Sequence, residues 1–278
     1  MQIGVIFPQT EIGSDPAVIR DFAQAADSLG YSHLLVYDHV LGAVHEGREP
    51  RLTGPYTETT TFHEPFVLLG FIAAHTQRLG LMTGVIILPQ RQTALVAKQA
   101  AEVDILSGGR LRLGIGTGWN YVEYESLNEN FHNRGKRSEE QIDVMRKLWA
   151  EPVVDYRGKW HTIDRAGLAP LPGRQIPVWF GGGADERVLR RAAKLGDGMI
   201  PLFGPNDAGK AALEQLWGYL AEEGRDRSSF GLEAQVNYGA GDDKWLSHAE
   251  SWRDLGANYV CVRTMNAGLN SPQEHIDA

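Results

Sequence analysis

Leu29-Gly30-Tyr31-Ser32-His33-Leu34-Leu35-Val36-Tyr37-Asp38-His39 runs from the end of a helix, through a glycine, into an apolar strand and out onto an acid–imidazole pair. The junction recurs. Leu79-Gly80 precedes an apolar run at 81–87, Leu195-Gly196 precedes 198–202, and Leu255-Gly256 precedes 258–262. Ser107-Gly108-Gly109 does the same before 111–115. Glycine takes the left-handed conformation after a helix without a Cβ clash, so each of these glycines is expected to end a helix. The leucine before it is expected to face the core. Upstream of the first junction, Val18, Phe22, Ala25 and Leu29 are spaced as one helix face, with Asp15 as N-cap and Pro16 at the first helical position. Val188, Ala192 and Leu195 repeat that spacing, as do Leu246, Ala249 and Leu255, while Leu95, Gln99, Glu102 and Leu106 mark a helix with a mixed face.

Eight strands follow from this rhythm, starting near Ile3, His33, Leu81, Leu111, Pro177, Gly198, Leu232 and Asn258. Strands that alternate with helices form a parallel sheet. Eight such units in 278 residues predict a closed (β/α)8 TIM barrel rather than an open doubly wound sheet, with residues 1–278 as a single domain. Two long connections interrupt the repeat, at 40–63 after the second strand and at 153–175 after the fourth unit. The latter holds Tyr156-Arg157-Gly158-Lys159-Trp160, read as a hairpin turning at Arg157-Gly158. Residues 271–278 read as a helix just beginning, so the last barrel helix is expected to be short or incomplete.

The balance of 27 basic against 35 acidic side chains gives a net charge of −8, which argues against a nucleic-acid partner. Cys261 is the only cysteine, which excludes an intrachain disulfide and fits a reducing, cytoplasmic setting. The first residues have neither the basic nor the apolar region of a signal peptide. No apolar run approaches the ~20 residues that span a bilayer, so no membrane association is expected.

In a barrel the active site is built from the loops that follow the strands. Asp38-His39 ends the second strand, and an imidazole there can give or take a proton near neutral pH. Gly181-Gly182-Gly183-Ala184 lies between a strand and the helix opened by Glu186-Arg187. Free N–H groups and the helix dipole at such a turn favour a phosphate, and Arg187 adds a charge. Gly114-Ile115-Gly116-Thr117-Gly118 has the wrong spacing for a dinucleotide fingerprint, but its small residues let a planar ring approach the backbone. Trp119 and Tyr121 stand beside it, placed either to cover such a ring or to pack the loop. Metal chemistry and a serine nucleophile are disfavoured: neither HxH, HExxH nor GxSxG is present. His161 and His248 read as surface residues.

The chain resembles the luciferase-like monooxygenase superfamily and, within it, the coenzyme F420-dependent oxidoreductases. The resemblance rests on residues 78–85, Ala97-Lys98-Gln99, 106–111, Gly116-Thr117-Gly118-Trp119, Phe131-His132 and Met145-Arg146-Lys147-Leu148-Trp149, together with Asp38-His39. It implies a flavin-type cofactor at the strand C-termini, with His39 in proton transfer and Asp38, Gly118 and Asn120 in cofactor binding. It also implies a non-proline cis peptide at Gly84-Val85, whose bulge would press on the deazaflavin. The turn at Gly181, Gly182, Gly183 and Ala184, with Arg187, would take the cofactor phosphate, and Arg48, Arg51 or Arg91 the anionic tail. Sugar-phosphate dehydrogenases of the group have a glutamate near Trp119, so Trp119 with Asn120 and Tyr121 implies an apolar or aromatic substrate. The implied reaction is hydride transfer between coenzyme F420 and a small organic molecule. The alternatives are an FMN-dependent monooxygenase served by a flavin reductase and a non-catalytic flavin-binding protein. A homodimer is expected by the same resemblance.

Overall fold

Strand residues alternate between two apolar environments, and a closed sheet supplies both. In a computed structural model, which describes residues 1–278, Ile6, Leu35, Met82, Trp179, Ile200 and Cys261 point inward and pack with Met265. Their neighbours Val5, Leu34, Val36, Leu81, Val178, Phe180, Met199 and Val260 point outward into the larger layer between strands and helices.

The elements are β1 (Gln2–Ile6), α1 (Pro16–Ser28), β2 (His33–Tyr37), α2 (Pro65–His75), β3 (Gly80–Ile87), α3 (Thr93–Leu106), β4 (Leu111–Gly116), α4 (Tyr121–Ser126) and α5 (Arg134–Ala150). Then come β5 (Val154–Arg157), β6 (Thr162–Ala166), β7 (Val178–Gly182), α6 (Glu186–Leu195), β8 (Gly198–Pro201) and α7 (Asp207–Glu222). The chain finishes with β9 (Gly231–Asn237), α8 (Asp242–Asp254), β10 (Tyr259–Arg263) and α9 (Pro272–Asp277). Eight strands close in the order β1-β10-β9-β8-β7-β4-β3-β2, and β5-β6 is a separate antiparallel hairpin. All eight expected barrel strands are present. The hairpin turns one residue later than expected, with Arg157 still paired to Thr162 and the Gly158 N–H donating to His161 O. His161 is not a surface residue: it bonds Glu140 through Nδ1 and Thr93 through Nε2 and ties the hairpin to α5 and α3.

Asp15 caps α1 by accepting from the Ala17 N–H at 2.8 Å, and Pro16 opens the helix. The buried face is Ile19, Phe22, Ala23 and Ala26, one step round from the expected one, and Leu29 is 69% exposed. Leu29 already lies beyond the helix, where Gly30 at φ +84° turns the chain away. In α3 the alanines face inward (Ala97, Ala100, Ala101), while Leu95 and Leu106 are exposed, because this helix packs close to its neighbours through small side chains. Gly30, Gly108, Gly109 and Gly256 are left-handed as expected. Gly80 and Gly196 are not. Gly80 is the first residue of β3, and Gly196 is extended where a Cβ would stand 2.8 Å from Ala192 O.

One irregularity shapes the open end of the barrel. The pairing of β3 slips against β2 between Val36 and Tyr37 and against β4 between Met82 and Ile86. Thr83-Gly84-Val85 is therefore a bulge. The expected cis peptide at Gly84-Val85 is absent, since the cis bonds are Glu49-Pro50 and Ala169-Pro170. An extra residue in the strand makes the bulge without one. It throws Val85 across the mouth, where a Cβ on Gly181 would overlap Val85 Cγ1 and one on Gly116 would stand 3.0 Å from Cγ2. A Cβ on Gly114 would overlap Thr83 O, and Thr83 Oγ1 donates to Gly114 O at 2.7 Å.

The other end is closed by a polar layer. His33 Nε2 meets Glu233 at 2.9 Å and Cys261 Sγ at 3.2 Å, and Arg112 pairs with Glu233 while lying over the rings of Tyr259 and Trp179. The bulge yields a stability prediction. Gly181→Val should destabilise the fold by about 1–3 kcal/mol through overpacking, and adding Val85→Ala should recover part of that loss. Urea denaturation of the two variants and the double variant measures the coupling; additive effects would show that the two residues do not compete for this space.

Candidate functional site

The strand C-termini carry the titratable groups that the polar layer at the opposite end does not use. Asp38 and His39 leave β2 side by side but face different ways. The Asp38 side chain is fully buried, accepting the Ile87 N–H at 2.9 Å on Oδ2 and Arg91 Nη2 at 2.7 Å on Oδ1. Burial pushes the Asp38 carboxyl up, and Arg91 and the Ile87 N–H pull it back. Burial likewise disfavours the Arg91 cation, but Asp38 and Glu64 together hold its pKa above the ordinary arginine value. Asp38 thus binds the end of β3 directly and reaches the start of α2 through Arg91, and each of its oxygens is engaged within the chain. Arg91, expected at the rim for an anionic tail, is spent in the same cluster.

His39 is held by a residue that sequence reasoning missed. Glu123, fully buried in the six-residue α4, faces His39 Nδ1 with Oε2 at 2.8 Å. Its Oε1 accepts the N–H groups of Val40 and Leu41. Burial opposes ionisation of Glu123, yet the bond to His39 and the two backbone N–H groups hold its carboxyl below the usual range. A carboxylate can only accept, so Nδ1 carries the proton and donates. Nε2 is left without a protein partner among the rings of Phe62 (centroid at 5.0 Å), Tyr56 (5.2 Å) and Trp119 (5.5 Å).

The loop after β2 is pinned over this pair. Gly54 lies on the Trp119 ring so closely that a Cβ would overlap it, and Tyr121 Oη donates to Pro50 O at 2.9 Å. Asn120 caps α4 through the Val122 N–H and donates to Leu41 O at 3.2 Å. Trp119, Asn120 and Tyr121 therefore hold the lid, and the polar groups of Asn120 are used in doing so. Gly118, at φ +64°, lies against Ile87.

Across the mouth, the turn after β7 differs from expectation. Gly181 makes room for Val85 and Gly182 for Val188; of the three glycines only Gly183 faces open space. Asp185 caps α6 by accepting the Arg187 N–H at 3.0 Å and pairs with the Arg187 guanidinium. That bond to Arg187 holds the Asp185 carboxyl below the usual range. The place expected for a phosphate, with Arg187, already carries a carboxylate of the chain itself. Arg187 lies instead on the edge of a cavity of about 650 Å³ between α5 and α6.

Further polar groups converge on the mouth from β9 and β10. Gln235 Oε1 accepts from Tyr37 Oη at 2.8 Å, while Gln235 Nε2 and Asn237 Oδ1 are buried without partners. Burial pushes the Tyr37 and Tyr56 phenols up against the pull of Arg263, which ends β10 between them. The sequence signal for these residues is the alternation Glu233, Gln235, Asn237, which sends three polar side chains into the barrel.

The sequence profile of the luciferase-like monooxygenase family matches residues 1–271. The chain belongs to this family. Its members are enzymes, and the closed eight-stranded barrel is this family's fold in the present chain. An uncharacterised protein of Mycobacterium tuberculosis (strain ATCC 25618 / H37Rv) is 33% identical over 198 residues, 70% of this chain and 68% of that one. An F420-dependent glucose-6-phosphate dehydrogenase of Segniliparus rotundus is 29% identical over 250 residues, 84% and 68% of the two chains. Among solved structures, an F420-dependent secondary alcohol dehydrogenase in complex with an F420-acetone adduct superposes with a TM-score of 0.77. That match is at 18% identity and covers 98% of this chain and 97% of the other, and it speaks for the fold. No helix is long and apolar enough to cross a membrane.

The His39–Glu123 pair predicts a pH dependence of stability. Glu123 is depressed below its ordinary 4.5 in the folded state, so its contribution is present above that value and is lost as pH falls through the folded pKa. Glu123→Gln should cost about 1–3 kcal/mol at pH 7, and the gap to the wild type should narrow below pH 4. Equal gaps at pH 7 and pH 3.5 in urea titrations would contradict this.

Proposed function

We propose that the chain transfers a hydride between coenzyme F420 and a small, apolar or aromatic organic substrate, with His39 Nε2 as the proton donor or acceptor. The observation that carries the reading is the state of His39: it is fixed through Nδ1 by a buried carboxylate, and its Nε2 is free in an aromatic ring of side chains at the barrel mouth. A general acid or base needs this arrangement, one nitrogen oriented and the other available.

The mouth fits a flavin-type ring. Gln235 Nε2 and Asn237 Oδ1 are a donor and an acceptor with nothing in the chain to satisfy them, and buried polar groups are rarely left so. With the Val85 bulge and Arg263 they would hold the ring, which supplies two electrons as hydride when bound. Asp38 and Asn120, expected to contact the cofactor, act one step back by fixing β3 and the lid. Phe62, Tyr56 and Trp119 present apolar surface to a substrate and exclude water around Nε2. The F420-dependent relatives support this choice of cofactor; FMN, with a flavin reductase as partner, is the alternative that a direct binding comparison separates.

His39→Ala should leave cofactor affinity within about threefold and lower turnover by about 10²–10⁴-fold, the range for loss of a general acid or base. Steady-state kinetics beside a cofactor titration checks both. Unchanged turnover would remove His39 from the chemistry, and lost cofactor binding would make it a binding residue instead.

A further inference from the structure

The cavity between α5 and α6 runs outward from Thr117, at the end of β4, and six cations line it: Arg134, Lys136, Arg187, Arg190, Arg191 and Lys194. Arg187, Arg190 and Arg191 have carboxylate partners, in Asp185, Glu186 with Glu222, and Glu139. Arg134, Lys136 and Lys194 have none. Arg134 Nη1 donates to Phe131 O and its guanidinium lies 3.7 Å from the centroid of the Phe131 ring, but its Nε is buried with no partner. Burial pulls the Arg134 pKa down against the opposing effect of Tyr124, and the charges of Arg187 and Arg191 add to the fall.

The first turn of α5 faces the same cavity through Arg134, Gly135 and Lys136, and the Oδ1 of Asn133 just before it is buried without a partner. Gly135 in that turn leaves the space that Arg191 Nη2 enters; a Cβ there would stand 2.7 Å from it. The chain as a whole carries −8, so this cleft is a local reversal of charge.

We propose that the α5–α6 cleft binds a flexible polyanionic chain of phosphodiester and carboxylate groups, the tail that coenzyme F420 carries and FMN lacks. This rests on the hydride-transfer reading above and moves the anion site from the capped turn of α6 to the cations between α5 and α6. The ring would sit in the mouth, and the tail would leave past Thr117 and meet Arg134. Lys136 and Lys194, exposed and unpaired, would take the carboxylates farther out.

The test compares coenzyme F420, the same deazaflavin without its phosphate and tail, and inorganic tripolyphosphate, on the wild type and on Lys136→Ala/Lys194→Ala. Both substitutions are at exposed positions away from the mouth. The full cofactor should bind the wild type at least about tenfold more tightly than the truncated one at low salt, and 0.5 M NaCl should narrow that gap. The double variant should lose most of the gap while holding the truncated form as before. Equal affinity for the two forms, or a preference that survives in the variant, overturns the proposal. If neither deazaflavin binds, the hydride-transfer reading fails and the tail assignment with it. Tripolyphosphate judges the cleft independently: binding to the wild type and not to the variant supports an anion site, and no binding to either refutes one.

Discussion

Val85 leans from β3 across the open end of the barrel toward β4 and β7, and the residues it meets there have no room for a Cβ. Much of the upper barrel follows from that contact. Gly116 and Gly181 are glycines because Val85 fills their side-chain space, and Gly114 because the bulged Thr83 carbonyl does. The extra residue also shifts the end of β3, bringing the Ile87 N–H to Asp38. Asp38 in turn fixes Arg91, and Arg91 fixes Glu64, the N-cap of α2. The bulge, the buried ion cluster and the return of the lid into α2 form one chain of contacts. An apolar surface is thereby placed in the centre of the mouth.

Charge is divided around that surface. On one side a buried carboxylate orients His39 without exposing itself. On the other, beyond Thr117, cations outnumber their partners. At the far end, His33 and Arg112 both pair with Glu233 and close the barrel away from the chemistry. An oriented imidazole beside an apolar cage, next to a cation-lined cleft, suits the proposed redox cofactor with its aromatic head and charged tail.

The barrel was legible because each strand is a short apolar run after a polar or glycine break, and local patterning alone marks such runs. Helix faces were less so: α3 packs through alanines, and counting leucines selects the solvent side. Asp38 and His39 were found by position at a strand end, but their division of roles depends on Arg91 and Glu123, which come from 53 and 84 residues away. Glu123 itself stands in Tyr-Val-Glu-Tyr, with no periodic pattern to mark it as buried. The triple glycine was read as an anion cradle because a glycine turn before a helix has that geometry. What changes the reading is Val85, a long-range contact, and Asp185, whose carboxylate takes the helix terminus for itself.

The central claim is that the mouth and its adjoining cleft are built for a deazaflavin with an anionic tail. The most direct measurement is the separate titration of the purified apo-protein with coenzyme F420 and with FMN, followed by fluorescence quenching. The account predicts saturable binding of coenzyme F420 at least about 1.4 kcal/mol, or tenfold, tighter than FMN. Tighter binding of FMN would contradict it and place the chain with the reduced-flavin monooxygenases.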